Sequence, residues 1–191
     1  FNAGHVLKDC IQSVLGQARQ VVVVDNASEP AGFEAAMAPF VDDPRVVVIR
    51  SARNLGFAAG CNLGIAASTE RTILLLNPDS IMHPRSLSRL CEVLHARPEV
   101  GMVGGYLVCP DGTEQGGGRR AVPTPWRSAV RAFGLSRLGR RWPKLFDDFY
   151  LHLQPLPPGP VAVEAISGAC MLLKLEALDA VGWMDEAYFL H

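Results

Sequence analysis

Three short apolar runs, each stopped by turn-forming residues, constrain the fold of this chain more than any other feature. The runs are "QVVVVDNAS" at 20–28, "RVVVIR" at 45–50 and "RTILLLNPDS" at 71–80. Each is rich in β-branched residues or leucine, which is typical of a strand buried on both faces. Segments that favour helices lie before, between and after them, at 5–18, 33–41, 56–68 and 84–98. Strands that alternate with helices predict an α/β fold, a Rossmann-like and mostly parallel sheet with helices on both faces.

The composition fits one soluble globular domain. The chain has 191 residues, of which 49% are hydrophobic and 19% charged, and its net charge is −1. So small a net charge gives no reason to expect a nucleic-acid partner. Five cysteines stand apart without a CxxC pair, which favours reduced thiols and a cytoplasmic location over disulfides or a zinc site. No apolar run approaches the roughly 18 residues that span a bilayer, and Phe1 in place of a methionine suggests a fragment.

Two carboxylates follow predicted buried strands. Asp25 ends the first run and Asp79 follows the third. Because ligands bind outside the carboxyl ends of parallel strands, both acids should reach the same edge of the sheet. Two facing carboxylates repel each other unless a cation or hydrogen-bond donors lie between them. Each acid also has a local explanation, Asp25 in an Asx turn or helix cap and Asp79 in a type I turn around Pro78. Alternatively, the Asp79 carboxylate holds Mg²⁺ or Mn²⁺, which prefer carboxylates, water and diphosphate oxygens.

The stretch "RNLGFAAGCNLG" at 53–64 combines small residues with polar ones. The small residues allow the backbone to approach a ligand closely, while Arg53 supplies a cation and Asn54 and Asn62 supply amides. The spacing is not GxGxxG and no P-loop lysine follows, so neither common phosphate-binding fingerprint is present. The stretch is equally typical of a helix that packs tightly against the sheet.

The order and wording of these motifs resemble the family 2 glycosyltransferases, which are inverting enzymes with a GT-A fold. The resemblance extends to the rhamnosyltransferase branch, with the patterns "DNxS", "NxGFAxGxN", "LNPD" and "SGAxMLxxxxxxxxVGxFDExFF". This chain carries them at 25–28, 54–62, 76–79 and 167–189. The resemblance implies that the chain is truncated at both ends, so that the sheet is incomplete at its N-terminal strand and the fold at its C-terminal end.

The resemblance assigns residues 1–110 to a donor-binding half. Asp79 would hold a divalent cation, Mg²⁺ or Mn²⁺, beside the diphosphate. The nucleotide sugar would be bound by a set of polar and small residues at the strand ends, namely Asn2, Asp25, Arg53, Asn54, Gly56, Asn62 and Asn77.

The remainder of the same single domain would face the acceptor. Residues 111–160 would form a basic variable insertion with a Pro-rich connector, and 161–191 would begin the acceptor-side half. The acceptor-side residues implied by the resemblance are Gly168, Ala169, Trp183 and Asp185. In the family, the carboxylate that serves as catalytic base follows the aromatic run, which places it beyond His191. The catalytic residue of this chain is therefore unknown at this stage.

The resemblance implies an inverting glycosyltransferase, or its donor-binding fragment, that works in cell-wall or polysaccharide biosynthesis. It would move a sugar, expected to be L-rhamnose, from a nucleoside-diphosphate donor to a saccharide or lipid-linked saccharide in a metal-assisted reaction. Two alternatives stay open. A non-catalytic sugar-nucleotide-binding module would need no base. A nucleotidyltransferase would carry a glycine-rich loop with a cation after its first strand, where this chain offers only Gly4 and Lys8.

Residues 119–144 hold eight cations, no acidic residue and interleaved aromatic residues. The spacing of Trp126, Val130 and Phe133 predicts an amphipathic helix with a basic face. One hypothesis is a peripheral contact with anionic lipid at the inner face of the plasma membrane, or with the pyrophosphate of a lipid-linked acceptor. The other is an ordinary solvated helix whose arginine stems cover apolar surface.

Overall fold

The structure is a computed structural model that describes residues 1–122, 124–142, 146 and 155–189, without the side chains of 139 and 140. The helices are α1 (Val6–Leu15), α2 (Pro30–Met37), α3 (Phe57–Ala66), α4 (Ser86–His95), α5 (Pro125–Ala132) and α6 (Leu175–Val181). The strands are β1 (Val21–Asp25), β2 (Val46–Arg50), β3 (Thr72–Leu76), β4 (Met102–Gly104), β5 (Arg119–Arg120), β6 (Ala165–Ile166) and β7 (Cys170–Lys174). Short 3₁₀ helices cover Ala38–Phe40 and Leu135–Arg140. Within these described ranges, no helix combines the length and the apolar composition that crossing a bilayer requires.

The chain divides into two compact units. The first comprises Phe1–Val103 and Gly168–His191, and the second comprises Gly104–Ser167. All the motifs that predict a donor site fall in the first unit. The functional division of the chain at 110 and 160 stays a prediction.

In the first unit, β1 and β2 form a parallel pair whose register runs from Val21 opposite Val46 to Asp25 opposite Arg50. Apolar side chains of α1, α2 and the following 3₁₀ turn cover this pair. The buried cluster comprises Leu7, Ile11, Val23, Phe33, Ala36, Met37 and Phe40. Burial of each larger side chain stabilises the fold by about 1.5–3 kcal/mol. The cluster therefore holds the carboxyl end of β1, and with it Asp25, in a fixed place.

The helices α1 and α3 show two ways of packing against the sheet. The apolar face predicted for 5–18 is confirmed in α1, where it buries Leu7, Cys10, Ile11 and Val14. In α3 the contact depends on small residues, because a Cβ added at Gly64 would lie 3.3 Å from the Val24 side chain. The part of 53–64 that forms α3 is thus a helix packed tightly on β1.

The strand β3 pairs with β7 in an antiparallel manner, and β4 lies on the other side of β7. The register runs from Thr72 opposite Lys174 to Leu76 opposite Cys170. A second buried cluster joins this pair to α3 and α6 and comprises Ile65, Ile73, Leu173 and Leu178. The predicted α/β class is confirmed, but the described sheets are mixed and not mostly parallel, because β1 pairs with β2 in parallel whereas β3 with β7 and β5 with β6 are antiparallel pairs. After the excursion through the second unit, β7 pairs antiparallel and so needs none of the crossover helix that a parallel partner would require.

In the second unit, β5 and β6 form a short antiparallel pair. The Arg119 guanidinium donates to both carboxylate oxygens of Glu114, at 2.7 and 2.8 Å. Both side chains are largely buried, and the two parallel hydrogen bonds make this a strong, geometrically specific pair. The pair also raises the pKa of the Arg119 guanidinium.

The helix predicted around Trp126 forms as α5. It begins after Thr124, whose hydroxyl accepts a hydrogen bond from the Arg127 backbone N–H at 3.2 Å. Val130 is fully buried, while Trp126 and Phe133 are 56% and 78% exposed. Positions 123, 143 and 144 of the predicted basic segment 119–144 lie outside the described residues.

Candidate functional site

A cleft of about 1350 Å³ opens in the first unit, and the two strands β1 and β3 run along it. All ten residues of these strands line the cleft, and eight of them are apolar. Polar residues from the start of the chain and from the segments at the ends of β1, β2 and β3 line the same cleft. They are Asn2, Asp25, Asn26, Asn54, Asn77 and Asp79. This is where ligands bind in α/β sheets, outside the carboxyl ends of the strands.

Asp25 is the acid at the end of β1 and is only 6% exposed. Its Oδ1 accepts a hydrogen bond from the Ser28 N–H at 2.9 Å, as an Asx turn requires. Among the described residues, no hydrogen-bond donor reaches its Oδ2. The structural role and the proposed ligand role of Asp25 are therefore compatible, because the turn uses only one of the two oxygens.

Asn26 lines the cleft and was not singled out by the sequence interpretation. Its buried amide donates to the Asn54 Oδ1 at 2.9 Å and to the Gly56 carbonyl at 3.0 Å. Its Oδ1 accepts from the Leu55 N–H at 2.8 Å. The side chain thus ties the end of β1 to the loop before α3. The motif "DNxS" contained the signal, since an amide beside a strand-end acid can brace a neighbouring loop.

Gly56 immediately precedes α3 and lies against Phe189. Its φ is +88° and its ψ 179°, a combination that is open essentially to glycine alone. An added Cβ would lie 2.6 Å from the Phe189 carbonyl oxygen. The close approach predicted for this glycine is therefore made to the chain's own segment, and both Gly56 and Phe189 line the cleft.

Asn62 and Arg53 are placed differently from the other predicted donor-site residues. The Asn62 amide donates to the Met184 carbonyl and to the Glu186 carboxylate, both at 2.9 Å, and its Oδ1 accepts from the Met184 N–H at 3.2 Å. Arg53 is exposed. Neither side chain is among the residues that line the cleft, so their contact with a nucleotide sugar stays a prediction.

Asn2 joins the start of the chain to the end of β1. Its backbone N–H donates to the Ser28 hydroxyl and its Oδ1 accepts from the Glu29 N–H, both at 2.9 Å. These bonds hold Asn2 in the lining of the cleft although its φ is +50°, an uncommon value for a residue with a side chain.

Asn77 and Asp79 lie in the turn that follows β3. The Asn77 N–H donates to the Ala169 carbonyl at 3.0 Å, and the Ser80 N–H donates to the Asn77 carbonyl at 3.1 Å. The second bond closes the predicted turn. Asp79 is exposed and lines the cleft. Burial, and secondly the negative charge of Asp79, raises the pKa of the Cys10 thiol to about 11, so the acid lies within electrostatic reach of α1.

The residues around Asp79 fit a divalent cation only if a ligand shares it. Among the described residues, no group of three or more His, Cys, Asp or Glu side chains could hold a metal ion. Mg²⁺ and related ions are commonly bound by one or two carboxylates together with water and substrate phosphates. One exposed carboxylate beside a cleft suits that arrangement and excludes a closed cage made by these residues.

The predicted acceptor-side residues are only partly brought to the cleft. Gly168 lines it, whereas Ala169, Trp183 and Asp185 do not. The Asp185 carboxylate accepts from the Ala187 N–H at 2.9 Å and so closes a local turn. Trp183 is 43% exposed. Phe189, which sequence reasoning did not single out, is the aromatic residue of this segment that reaches the cleft.

An α/β unit with a polar cleft at its strand ends is typical of nucleotide-binding proteins. The sequence model of the family described as "Glycosyl transferase family 2" matches residues 1–153. The chain therefore belongs to glycosyl transferase family 2.

Relatives agree with this assignment. An N-acetylglucosaminyl-diphospho-decaprenol L-rhamnosyltransferase of Mycobacterium tuberculosis is 27% identical over 182 residues, which are 90% of this chain and 57% of that protein. The O-antigen biosynthesis protein RfbC of Myxococcus xanthus is 26% identical over 200 residues, 96% of this chain and 14% of that protein. The predicted rhamnosyltransferase-like branch is confirmed. The chain spans little more than half the length of the mycobacterial relative.

A solved structure shares the fold. A mannosyltransferase from Pyrobaculum calidifontis, in complex with GDP-Man and Mn²⁺, aligns with a TM-score of 0.59 and 17% identity. The alignment covers 95% of this chain and 44% of that one. The predicted GT-A type of α/β fold is confirmed by this likeness.

Proposed function

We propose that this chain forms the donor-binding part of an inverting glycosyltransferase that moves a sugar, L-rhamnose, from a nucleoside diphosphate to a saccharide or lipid-linked saccharide. The observation that carries the proposal is that Asp25, Asn54 and Asp79 line one cleft. The name of the mycobacterial relative supports both the sugar and a lipid-linked acceptor.

The polar residues have distinct roles in this proposal. The Asp25 Oδ2 accepts a hydrogen bond from the base or ribose, because the turn occupies only Oδ1. Asn2, Asn54, Gly56 and Asn77 shape the surface against which the nucleotide lies. Arg53 and Asn62 act from outside the cleft lining unless ligand binding moves them.

Asp79 would hold Mg²⁺ or Mn²⁺ against the diphosphate. The cation would supply electrostatic neutralisation of the leaving group. The solved relative in fold contains Mn²⁺ with its nucleotide sugar, which supports this part of the proposal. Asp79 contributes its exposed carboxylate, and the turn from Asn77 to Ser80 fixes where that carboxylate lies.

The acceptor would approach from the side of Gly168 and Ala169, with Trp183 and Asp185 on the segment that flanks α3. A lipid-linked acceptor would bring the protein to the cytoplasmic membrane surface, where 119–144 would make peripheral contact. The exposed Trp126 and Phe133 of α5 support such a contact. Co-sedimentation with anionic vesicles measures it, and unchanged binding after Arg137→Gln with Arg141→Gln would contradict it.

The proposal is tested by binding and transfer in parallel. We expect dTDP-rhamnose with Mn²⁺ to bind more tightly than UDP-glucose or GDP-mannose in calorimetric titrations, and Asp25→Asn to weaken that binding. Labelled rhamnose should then pass to an N-acetylglucosaminyl-diphospho-lipid. Binding without transfer would favour the non-catalytic sugar-nucleotide-binding module. Failure of all three donors to bind would contradict the proposal.

A further inference from the structure

Segment 183–189 is attached to α3 by contacts between residues that are far apart in the sequence. Asn62 makes three hydrogen bonds to it, two with the Met184 backbone and one with Glu186. The Phe57 N–H donates to the Phe189 carbonyl at 3.0 Å. The partners of Asn62 are 122 and 124 positions away in the sequence, so this attachment depends on tertiary structure.

The hydrogen bonds of Asn62 orient the segment as well as attach it to α3. Asn62 is only 8% exposed, and its buried neighbours in α3 are Ala58, Ala59 and Ile65. An amide at such a position costs stability unless its donors and acceptor are paired. A leucine would fill the space, but only an amide binds both the N–H and the carbonyl of Met184. Asn62 therefore fixes the orientation of the Met184 backbone as well as its distance from α3.

The same segment ends at the cleft. Phe189 lies against Gly56, with its carbonyl oxygen 2.6 Å from the position of a Cβ on that glycine. Gly56 is in turn held by Asn26 from the end of β1. Both Gly56 and Phe189 line the cleft, and the Phe189 side chain is about half exposed. Segment 183–189 is thus held at both Met184 and Phe189, and it presents the Phe189 ring beside the loop that precedes α3.

We propose that Asn62 is a positioning residue that holds segment 183–189 so that Phe189 forms one wall of the nucleotide-sugar site. Asn62 acts through the segment and need not touch the ligand. The ring of Phe189 offers an apolar surface to the bound donor. The identity of the ligand rests on the proposed function, whereas the holding role rests on the hydrogen bonds alone.

Four variants separate this role from general stability. Asn62→Asp places a carboxylate against Glu186 and the Met184 carbonyl, which should release the segment. Glu186→Gln alone keeps an acceptor for Asn62 and should resemble the wild type. The double variant, Asn62→Asp with Glu186→Gln, sets an amide donor against the new carboxylate and should recover at least half of the loss. Leu94→Ala removes a fully buried side chain of α4 outside the cleft, and serves as the control for a destabilised core.

The ligand-free measurement uses Trp183, next to Met184, in a background with Trp126→Phe and Trp142→Phe. We expect Asn62→Asp to raise acrylamide quenching of Trp183 at least twofold, and Leu94→Ala to leave it unchanged below its melting temperature. Equal quenching in the wild type and Asn62→Asp would overturn the holding role.

The second measurement titrates the same proteins with dTDP-rhamnose and Mn²⁺. We expect Asn62→Asp to raise the Kd about tenfold. The double variant should recover part of the lost affinity, because it returns the segment to its position. Raised quenching with an unchanged Kd would overturn the role of Phe189 as a wall of the site. If the wild type binds no nucleotide sugar, the proposed function and the ligand part of this inference fail, while the quenching result still decides the holding role.

Discussion

At the end of β1, two neighbouring residues serve the site in different ways. One carboxylate oxygen of Asp25 accepts a hydrogen bond within a turn. In contrast, both the nitrogen and the oxygen of the Asn26 amide make hydrogen bonds to the loop before α3. The sequence motif predicted the first role and was silent on the second. Asn62 shows the same limit, because the amide predicted to meet a ligand is bonded to Met184 and Glu186. The residue type shows which groups a side chain can bind. Which group it does bind depends on residues that are distant in the sequence.

Gly56→Ala should be far more harmful than alanine at a glycine with open space. The substitution meets both a glycine-only backbone conformation and the Phe189 carbonyl at 2.6 Å. We expect a loss of about 1–3 kcal/mol from the backbone alone, with a further loss from displacement of Phe189, measured by urea unfolding. Gly182→Ala is the matched control, since its φ of +101° and ψ of 156° fall in the same backbone region and nothing lies within 4 Å of an added Cβ. Equal losses in the two variants would show that the Phe189 contact is unimportant.

The buried thiol of Cys10 should make stability fall in alkali. Its pKa is raised from 9.0 to about 11, so between these values an unfolded chain loses a proton that the folded chain keeps. The free energy of unfolding should then decrease as pH rises through this window, by about 1 kcal/mol per pH unit near its middle. Urea unfolding of the wild type and Cys10→Ala at pH 8 and pH 10 checks this. We expect the variant to be less pH-dependent, and parallel changes in both proteins would refute the assignment to Cys10.

At the scale of elements, the helices and the strands β1, β2 and β3 were predictable because hydrophobic periodicity is local information. The apolar face of 5–18 became the buried face of α1, and the runs at 20–28, 45–50 and 71–80 became strands. The antiparallel pairing of β7 was not predictable in this way. Its run "CMLLK" fits a buried strand in either direction, and the local sequence does not select the antiparallel pairing that the structure has.

Leu173→Ala should test whether β7 is a core strand of the first unit. Leu173 is 1% exposed and packs with Ile65, Ile73 and Leu178. We expect a loss of about 2–5 kcal/mol, typical of a buried leucine truncated to alanine, in chemical unfolding. Val48→Ala in β2 is the control, because Val48 is 42% exposed and should cost much less. A small loss at Leu173 would mean that β7 can leave the sheet at little cost.

At the scale of the whole molecule, the structure brings together motifs that the sequence spreads over most of its length. Asn2, Asp25, Asp79 and Gly168 all line one cleft. The rule that ligands bind at the carboxyl ends of strands made this convergence predictable for Asp25 and Asp79, whereas Asn2 was assigned by the family resemblance. In the structure β1 and β3 belong to separate sheets, and both strands line the one cleft. The arrival of Phe189 at the same cleft could not be predicted, because no local pattern reports the path of an irregular segment.

Asp79→Asn should uncouple the donor from the cation. A ligand at 100 times its Kd stabilises the folded chain by about 2.7 kcal/mol. We expect dTDP-rhamnose to raise the melting temperature of the wild type more with Mn²⁺ than without it, and Asp79→Asn to lose that difference. Glu92→Gln, at an exposed side chain of α4, should behave as the wild type. A full Mn²⁺ effect in Asp79→Asn would place the ion elsewhere.

The unpaired edges of β1 and β3 have a consequence for what the cleft can bind. In the described sheets β1 pairs with β2 and β3 pairs with β7, so one edge of each strand keeps main-chain groups that face the groove between them. Such edges present backbone N–H and C=O groups that can pair with an extended polypeptide or bind water. A volume of about 1350 Å³ exceeds the roughly 300–1,000 Å³ usual for small-molecule pockets. A sugar nucleotide bound at the polar strand ends would therefore leave the backbone edges of β1 and β3 accessible to other hydrogen-bonding groups.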